Sequence, residues 1–328
     1  MAEKVRKIAV LTSGGDAPGM NAAVRAVVRA SVFNNLECYG VYKGYEGLIT
    51  GDLVKLNARG VNNIVNKGGT ILKSARCLEF RTKEGRIKAK NTLDKHEIDS
   101  LVVIGGNGSL TGALLLEEEH GINVIGIPGT IDNDLVGTRC SLGYDTALNT
   151  AVEAIDKIRD TASSHNRLFF IEVMGKGSGH IALNAGIGAG AEEVLIPEQN
   201  MGLERLLDSL KKSEKSGKSS SIIVVSEGDK IGENVFNFSS YIEKNLPHYE
   251  IRVSILGHIQ RGGTPSCFDR VLASRMGVYA VDCLLQHKSK IMVGIIDDKM
   301  TATPINDAIK GGQSLDKDLV RVCDIISI

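Results

Sequence analysis

The sequence predicts an α/β protein made of two interleaved, doubly wound parallel-sheet domains. Three observations carry this expectation. Short, continuously apolar runs alternate with segments of helical spacing, the pattern of strands buried on both faces of a parallel sheet. Glycines gather just past those runs, at Gly14-Gly15, Gly105-Gly106, Gly129 and Gly175, where ligands sit in such sheets. A length of 328 residues suits two domains, and no clean linker separates them.

Taken in order, KIAVLT (7–12), LVVIGG (101–106), NVIGIPG (123–129), RLFFIEVMG (167–175), SIIVVSEG (221–228) and KIMVGII (290–296) read as strands. Between them, residues 20–35, 145–164, 202–216 and 269–286 carry helical spacing, with polar openings such as Asp145. KKSEKSGKSSS (211–221) reads as a solvated helix end and loop. GKGSG (175–179) and GIGAG (186–190) superficially resemble a dinucleotide fingerprint, but neither has the full GxGxxG, and the second lies in an Ala/Gly-rich helical stretch.

Lys plus Arg and Asp plus Glu each number 39, so the formal net charge is zero. That balance argues against general nucleic-acid or anionic-membrane binding and leaves room for a local basic pocket. None of the six cysteines forms a CxxC pair or a Cys/His cluster, which favours a reducing compartment over a disulfide scaffold or a zinc site. The first apolar run is too short for a signal peptide, and no window approaches membrane-spanning length. The expectation is a cytoplasmic protein.

Four stretches point to phosphate chemistry. LTSGGDAPGMNAAVR (11–25) is a strand, a Gly-Gly turn and a helix start, whose N–H groups and dipole suit an anion. GGNGS (105–109) is a second glycine loop at a strand end. In IPGTIDNDLVGT (127–138), Asp132 and Asp134 follow a strand and a turn. One can accept a proton from an attacking hydroxyl while the other orients it or binds a metal through water. RVSILGHIQRGGTP (252–265) brings Arg252, His258 and Arg261 to the end of a strand, and an arginine fork matches phosphate oxygens. Arg167 opens another strand and can join them, as can Glu227 through sugar hydroxyls. Arg76 lies beyond a further Gly-Gly turn, and Arg25 and Arg29 stand i, i+4 on one helix. Each stretch alone also suits a structural turn or a solvated face.

Together these stretches resemble the bacterial ATP-dependent 6-phosphofructokinases. LTSGGDAPGMNA, the SAR of 74–76, PGTIDND, EVMG, LGHIQRGG and DRVLASRMG match in order over nearly the whole chain. The resemblance implies a phosphofructokinase-like fold, magnesium with ATP as co-substrate, and fructose 6-phosphate as acceptor. The domains expected are residues 1–142 with about 258–305 for ATP, and 143–257 with about 306–328 for substrate and effector. By resemblance, Gly15, Arg76, Cys77 and the loop Gly106, Asn107, Gly108, Ser109 hold ATP. Asp132 is the general base, with Thr130, Ile131 and Asp134 around it and Arg76 counted with the catalytic group. Met174, Gly175, Lys176, Glu227, His258 and Arg261 meet the sugar phosphate. Arg167 and Arg252 reach it from a neighbouring subunit, which implies a homotetramer with shared sites. Glycine at 108 and 129, where pyrophosphate-using members carry Asp and Lys, favours ATP.

Three departures stand out. The family usually has Asp, the magnesium-linked carboxylate, where this chain has Asn107, and Arg where it has Lys176. The effector site, for ADP or phosphoenolpyruvate, is matched at Arg25, Arg29, Arg159, Glu192 and Lys218, whereas Ala58 and Ser216 stand where Arg and Lys are common. Asn107 and Lys176 also fit a second expectation, a weakly active or non-catalytic paralogue that binds sugar phosphate or nucleotide. A third, a nucleotide kinase with a GGDG-like loop, leaves HIQRGG and PGTIDND without a purpose.

Overall fold

The apolar runs become strands, and the chain alternates them with helices throughout. In order these are β1 (Lys7–Thr12), α1 (Met20–Phe33), β2 (Glu37–Val41), α2 (Tyr45–Thr50), β3 (Leu53–Leu56), α3 (Lys83–Lys95), β4 (Ser100–Gly105), α4 (Asn107–His120), β5 (Asn123–Pro128), α5 (Tyr144–Ala162), β6 (Arg167–Val173), α6 (His180–Ala189), β7 (Glu193–Leu195), α7 (Leu203–Lys215), β8 (Ser221–Ser226), α8 (Val235–Asn245), β9 (Glu250–Ile255), α9 (Cys267–Leu285), β10 (Ile291–Ile296), β11 (Lys299–Pro304), α10 (Ile305–Ile309) and α11 (Lys317–Ile326). The computed structural model describes residues 5–162, 167–199, 203–215, 221–228 and 235–327. Two units emerge. The first is Met1–Ile131, Leu135–Asp145 and Arg261–Gln313, and the second is Asp132–Asp134, Thr146–Gln260 and Ser314–Ile328.

The first unit holds a seven-stranded sheet in the order β11-β10-β5-β4-β1-β2-β3. Its central strands β1, β4 and β5 are parallel and buried apart from the first residues of β1 and β5, as the continuous apolar runs require. Helices α2, α3, α4 and α10 cover one face through Leu48, Leu93, Leu110 and Ile305, against Ala9, Leu11, Leu101 and Val103. Helices α1 and α9 pack on each other, and a Cβ on Gly277 would stand 2.6 Å from Ala26.

At both edges the otherwise parallel sheet turns antiparallel. β3 runs antiparallel to β2, and β11 antiparallel to β10. The reason is the connection. β10 and β11 are joined by Asp297-Asp298 alone, both with positive φ (48° and 61°), and a two-residue turn can only reverse a strand.

The second unit holds a four-stranded, fully parallel sheet in the order β7-β8-β6-β9. Leu168, Phe170, Ile223 and Val225 face α7 and α8, where Leu206, Leu210, Phe238 and Ile242 complete a core. Helix α6 lies against β7 and β8, with α11 against α6. Among the described residues no helix is long and apolar enough to cross a membrane. Their cysteines are all free thiols.

Candidate active site

Parallel pairing sets Thr12 opposite Ile104 and Gly105 opposite Pro128, so the carboxyl ends of β1, β4 and β5 lie side by side. The turns leaving them are stitched together. The Ser13 N–H donates to the Ile104 carbonyl, and the Gly129 N–H to the Gly105 carbonyl, each at 3.0 Å. The Ser109 hydroxyl lies 3.4 Å from where a Cβ on Gly14 would stand, and Gly14 holds a φ of 88°. A Cβ on Gly106 would stand 3.5 Å from Thr130. Two of the candidate glycine turns and the start of the Asp132 segment thus meet within one unit.

Asn107 is the first residue of α4, so GGNGS is a helix start rather than the glycine loop expected. Neither α1 nor α4 has a side-chain cap or an acid in its first turn. No acid of either helix therefore offsets the positive end of its dipole, which suits an anion. The space around Gly108 is open, whereas a Cβ on Gly129 would press within 3.0 Å of Ile104 and Met20.

Arg261, expected with the sugar-phosphate residues, belongs to the first unit. Its Nη1 donates to the Asp16 carbonyl at 3.1 Å and lies 2.6 Å from where a Gly15 Cβ would be. Only glycine at 15 leaves that guanidinium its place. Arg76 is exposed and Cys77 partly buried, at the end of a segment organised from α1. Asn21, buried to 1% exposure, donates to the Lys67 and Gly68 carbonyls and accepts from the Ile71 N–H at 2.7 Å. Sequence reading passed over Asn21, although an amide at a buried position of an apolar helix is a signal in itself.

Thr130, Ile131 and Asp132 are buried, and Asp134 is partly exposed. The Ser141 hydroxyl holds the Thr130 carbonyl at 2.6 Å, and the Ser178 hydroxyl holds that of Asp132 at 3.2 Å. Asn133 takes a φ of 50°, so the turn is tight. Its backbone is pinned on both sides of the candidate base.

In the second unit, Met174, Gly175 and Lys176 follow the carboxyl end of β6, beside the end of β8. The Glu227 N–H donates to the Val173 carbonyl at 2.8 Å and the Gly177 N–H to the Glu227 carbonyl at 3.2 Å. A Cβ on Gly175 would stand 2.3 Å from the Ser178 carbonyl, which makes glycine obligatory. Burial, and then the Glu227 carboxylate, raise the Glu172 carboxyl above its ordinary value. His258 is exposed on a 3-10 turn, Gly257–Arg261, beyond β9.

Arg167 and Arg252 are elsewhere. Both are bonded to one carboxylate, Glu250: Arg167 through Nε at 2.8 Å, Arg252 through Nη2. Arg167 opens β6 and Met174 follows its end, so about 23 Å of extended strand separates them at ~3.3 Å per residue.

Of the effector candidates, Arg159 caps α6, donating to the Ala189 and Gly190 carbonyls at 2.8 and 2.6 Å, with Glu192 at 3.6 Å. Glu192 accepts the Ile222 N–H. Arg29 donates to Asn62, and Arg25 is held below its ordinary value by burial and then by Arg29. Lys218 and Ser216 lie outside the described residues. Among the described residues no three His, Cys, Asp or Glu side chains gather as a metal cage.

The family model for phosphofructokinase matches residues 7–284. The chain belongs to the phosphofructokinase family. ATP-dependent 6-phosphofructokinase of Thermotoga neapolitana is 51% identical over 323 residues, 98% of this chain and 100% of that one. ATP-dependent 6-phosphofructokinase 2 of Bacteroides thetaiotaomicron is 48% identical over 324 residues, 99% of each. In fold, the chain is similar to phosphofructokinase from Saccharomyces cerevisiae, with a TM-score of 0.88 and 36% identity. It covers 98% of this chain and spans 47% of the yeast chain.

Proposed function

We infer that this phosphofructokinase transfers the γ-phosphoryl group of MgATP to the 1-hydroxyl of fructose 6-phosphate, giving fructose 1,6-bisphosphate in glycolysis. The observation that carries this is 48–51% identity, over essentially the whole chain, to proteins named ATP-dependent 6-phosphofructokinases. The Gly15 turn that precedes α1 and the start of α4 at Gly106–Ser109 would receive the donor phosphates, with Arg76 bridging donor and acceptor and Cys77 beside it. Open space at Gly108 leaves room for a nucleotide's α-phosphate, which favours ATP over pyrophosphate.

Asp132 would take the proton of the 1-hydroxyl, with Thr130, Ile131 and Asp134 shaping its turn. Met174, Gly175, Lys176, Glu227, His258 and Arg261 would hold the sugar phosphate. Magnesium would sit on the donor phosphates near Asn107 and neutralise charge developing on them. The rest is positioning and charge stabilisation by fixed cations and helix dipoles.

The 23 Å of strand between Arg167 and Met174 supports a shared site, with Arg167 and Arg252 serving a neighbouring subunit in a homotetramer. ADP and phosphoenolpyruvate are the effectors to test at Arg25, Arg29, Arg159 and Glu192, and the cytoplasm is the compartment proposed. An assay coupled to fructose 1,6-bisphosphate, run with ATP and then pyrophosphate, tests the reading. Product with ATP is expected. A preference for pyrophosphate, or no sugar phosphorylation with either donor, would overturn it.

A further inference from the structure

Gln260 stands between His258 and Arg261 in HIQRGG, yet its side chain is wholly buried. Its Oε1 accepts the Met174 N–H at 3.2 Å, and its Nε2 donates to the Gly257 carbonyl at 3.1 Å. One donor and one acceptor fix the orientation of the amide. They also link two segments 86 residues apart, the Met174–Lys176 turn after β6 and the 3-10 turn that presents His258. Buried amides without partners are costly, so the link is hard to break piecemeal.

We propose that Gln260 is a positioning residue for the acceptor, fixing the turn of Met174 against the turn of His258 so that both meet the sugar phosphate together. The inference rests on the functional reading above. It is specific in chemistry: only a side chain of this length that accepts at one end and donates at the other satisfies both turns. Leucine has the volume without the bonds. Glutamate, when ionised, accepts from Met174 but turns a second acceptor toward the Gly257 carbonyl. When protonated it restores the donor, and burial raises its carboxyl.

The test measures equilibrium binding of fructose 6-phosphate by calorimetry, with KM for each substrate and a thermal melt, for wild type, Gln260→Leu and Gln260→Glu. Gln260→Leu should weaken fructose 6-phosphate binding about tenfold, the equivalent of 1.4 kcal/mol. Its KM for ATP should stay within about twofold of wild type. Binding by Gln260→Glu, divided by wild-type binding at each pH, should approach one at low pH and fall with a single proton's titration as pH rises. That profile is one a merely space-filling role would not produce, and it stands if the leucine variant fails to fold. A folded Gln260→Leu that binds as tightly as wild type overturns the inference, as do equal rises in both KM values or a flat ratio for Gln260→Glu. Wild type that binds no fructose 6-phosphate overturns the functional reading and this inference with it.

Discussion

Replacing Asn107 by aspartate should make the enzyme faster or less demanding of magnesium. Asn107 begins the 14-residue helix α4, whose first turn carries no acid. A carboxylate there meets the positive end of the helix dipole, worth about 0.3–1 kcal/mol, with or without metal. The second effect depends on the metal. A full charge ~4 Å from the ion, at an effective dielectric of ~20, is worth about 4 kcal/mol per unit charge on the ion. Retained waters and the phosphates' own charge reduce this. A realised share of roughly 1.4–3 kcal/mol, expressed in the barrier, is on the order of 10- to 150-fold in turnover. Lys176 is a separate departure, keeping the charge of the arginine common in the family but not its fork. The assay is initial rate against free magnesium at saturating ATP and fructose 6-phosphate, for wild type, Asn107→Asp, and the double variant with Lys176→Arg. Melts in chelator accompany it. The single variant should melt higher without metal and should raise turnover or lower the magnesium needed, and the double variant should exceed it. A variant that melts higher yet leaves rate and magnesium demand unchanged would refute the reasoning, because the helix would have felt the charge and the metal would not.

Three other outcomes are expected. Asp132→Ser should keep binding of both substrates within a few fold and lower turnover by about 10²–10⁴, the range for loss of an acid–base group; turnover close to wild type removes Asp132 from the mechanism. Arg252→Ala should raise KM for fructose 6-phosphate far more than KM for ATP. Mixing it with Asp132→Ser protein under proven subunit exchange should restore activity if sites are shared, and no recovery counts against sharing. The Glu193 carboxyl, which accepts the Ser209 hydroxyl, is raised above its ordinary 4.5, chiefly by burial. Its contribution to stability is therefore present below about that value and is lost as pH rises through the folded-state value. Glu193→Gln should flatten the fall in unfolding free energy above pH 4.5 in denaturant titrations, and identical slopes in the two proteins would exclude the effect.

Where buried strands speak through composition, the chain was legible. β1, β4, β5, β6, β8 and β10 are the continuous apolar runs, and both faces of each must be covered. β2, β3 and β7, at a sheet edge or next to one, were less so. ECYGV and LVKL alternate polar with apolar residues over too few positions, and EVL is only three residues long. Helix α4 was half read: its glycines marked a phosphate-type turn, but the same glycines hid that the helix begins at Asn107.

The candidate site divides along the same line. Motifs report what lies within a few residues along the chain, so Gly15, Asn107, Asp132 and Gly175 could be singled out one turn at a time. They cannot report which side chain arrives from afar. Arg261 reaches Asp16 across 245 residues, and its guanidinium lies where a Cβ on Gly15 would stand, so a side chain at 15 would have to displace it. A sequence pattern reads Gly15 for phosphate alone, whereas the structure adds a close neighbour from a second motif. Glu250 makes the converse point. Strand register places it opposite Arg167, and two positions along its own strand it meets Arg252 on the same face. Two arginines read singly as phosphate ligands thus begin as a carboxylate-held pair. On the proposed reading a sugar phosphate would compete for them with Glu250, and at partly exposed side chains that competition is a matter of about 0–1 kcal/mol. Such a margin would let Glu250 orient both forks and still yield them to a dianion, which carries twice its charge.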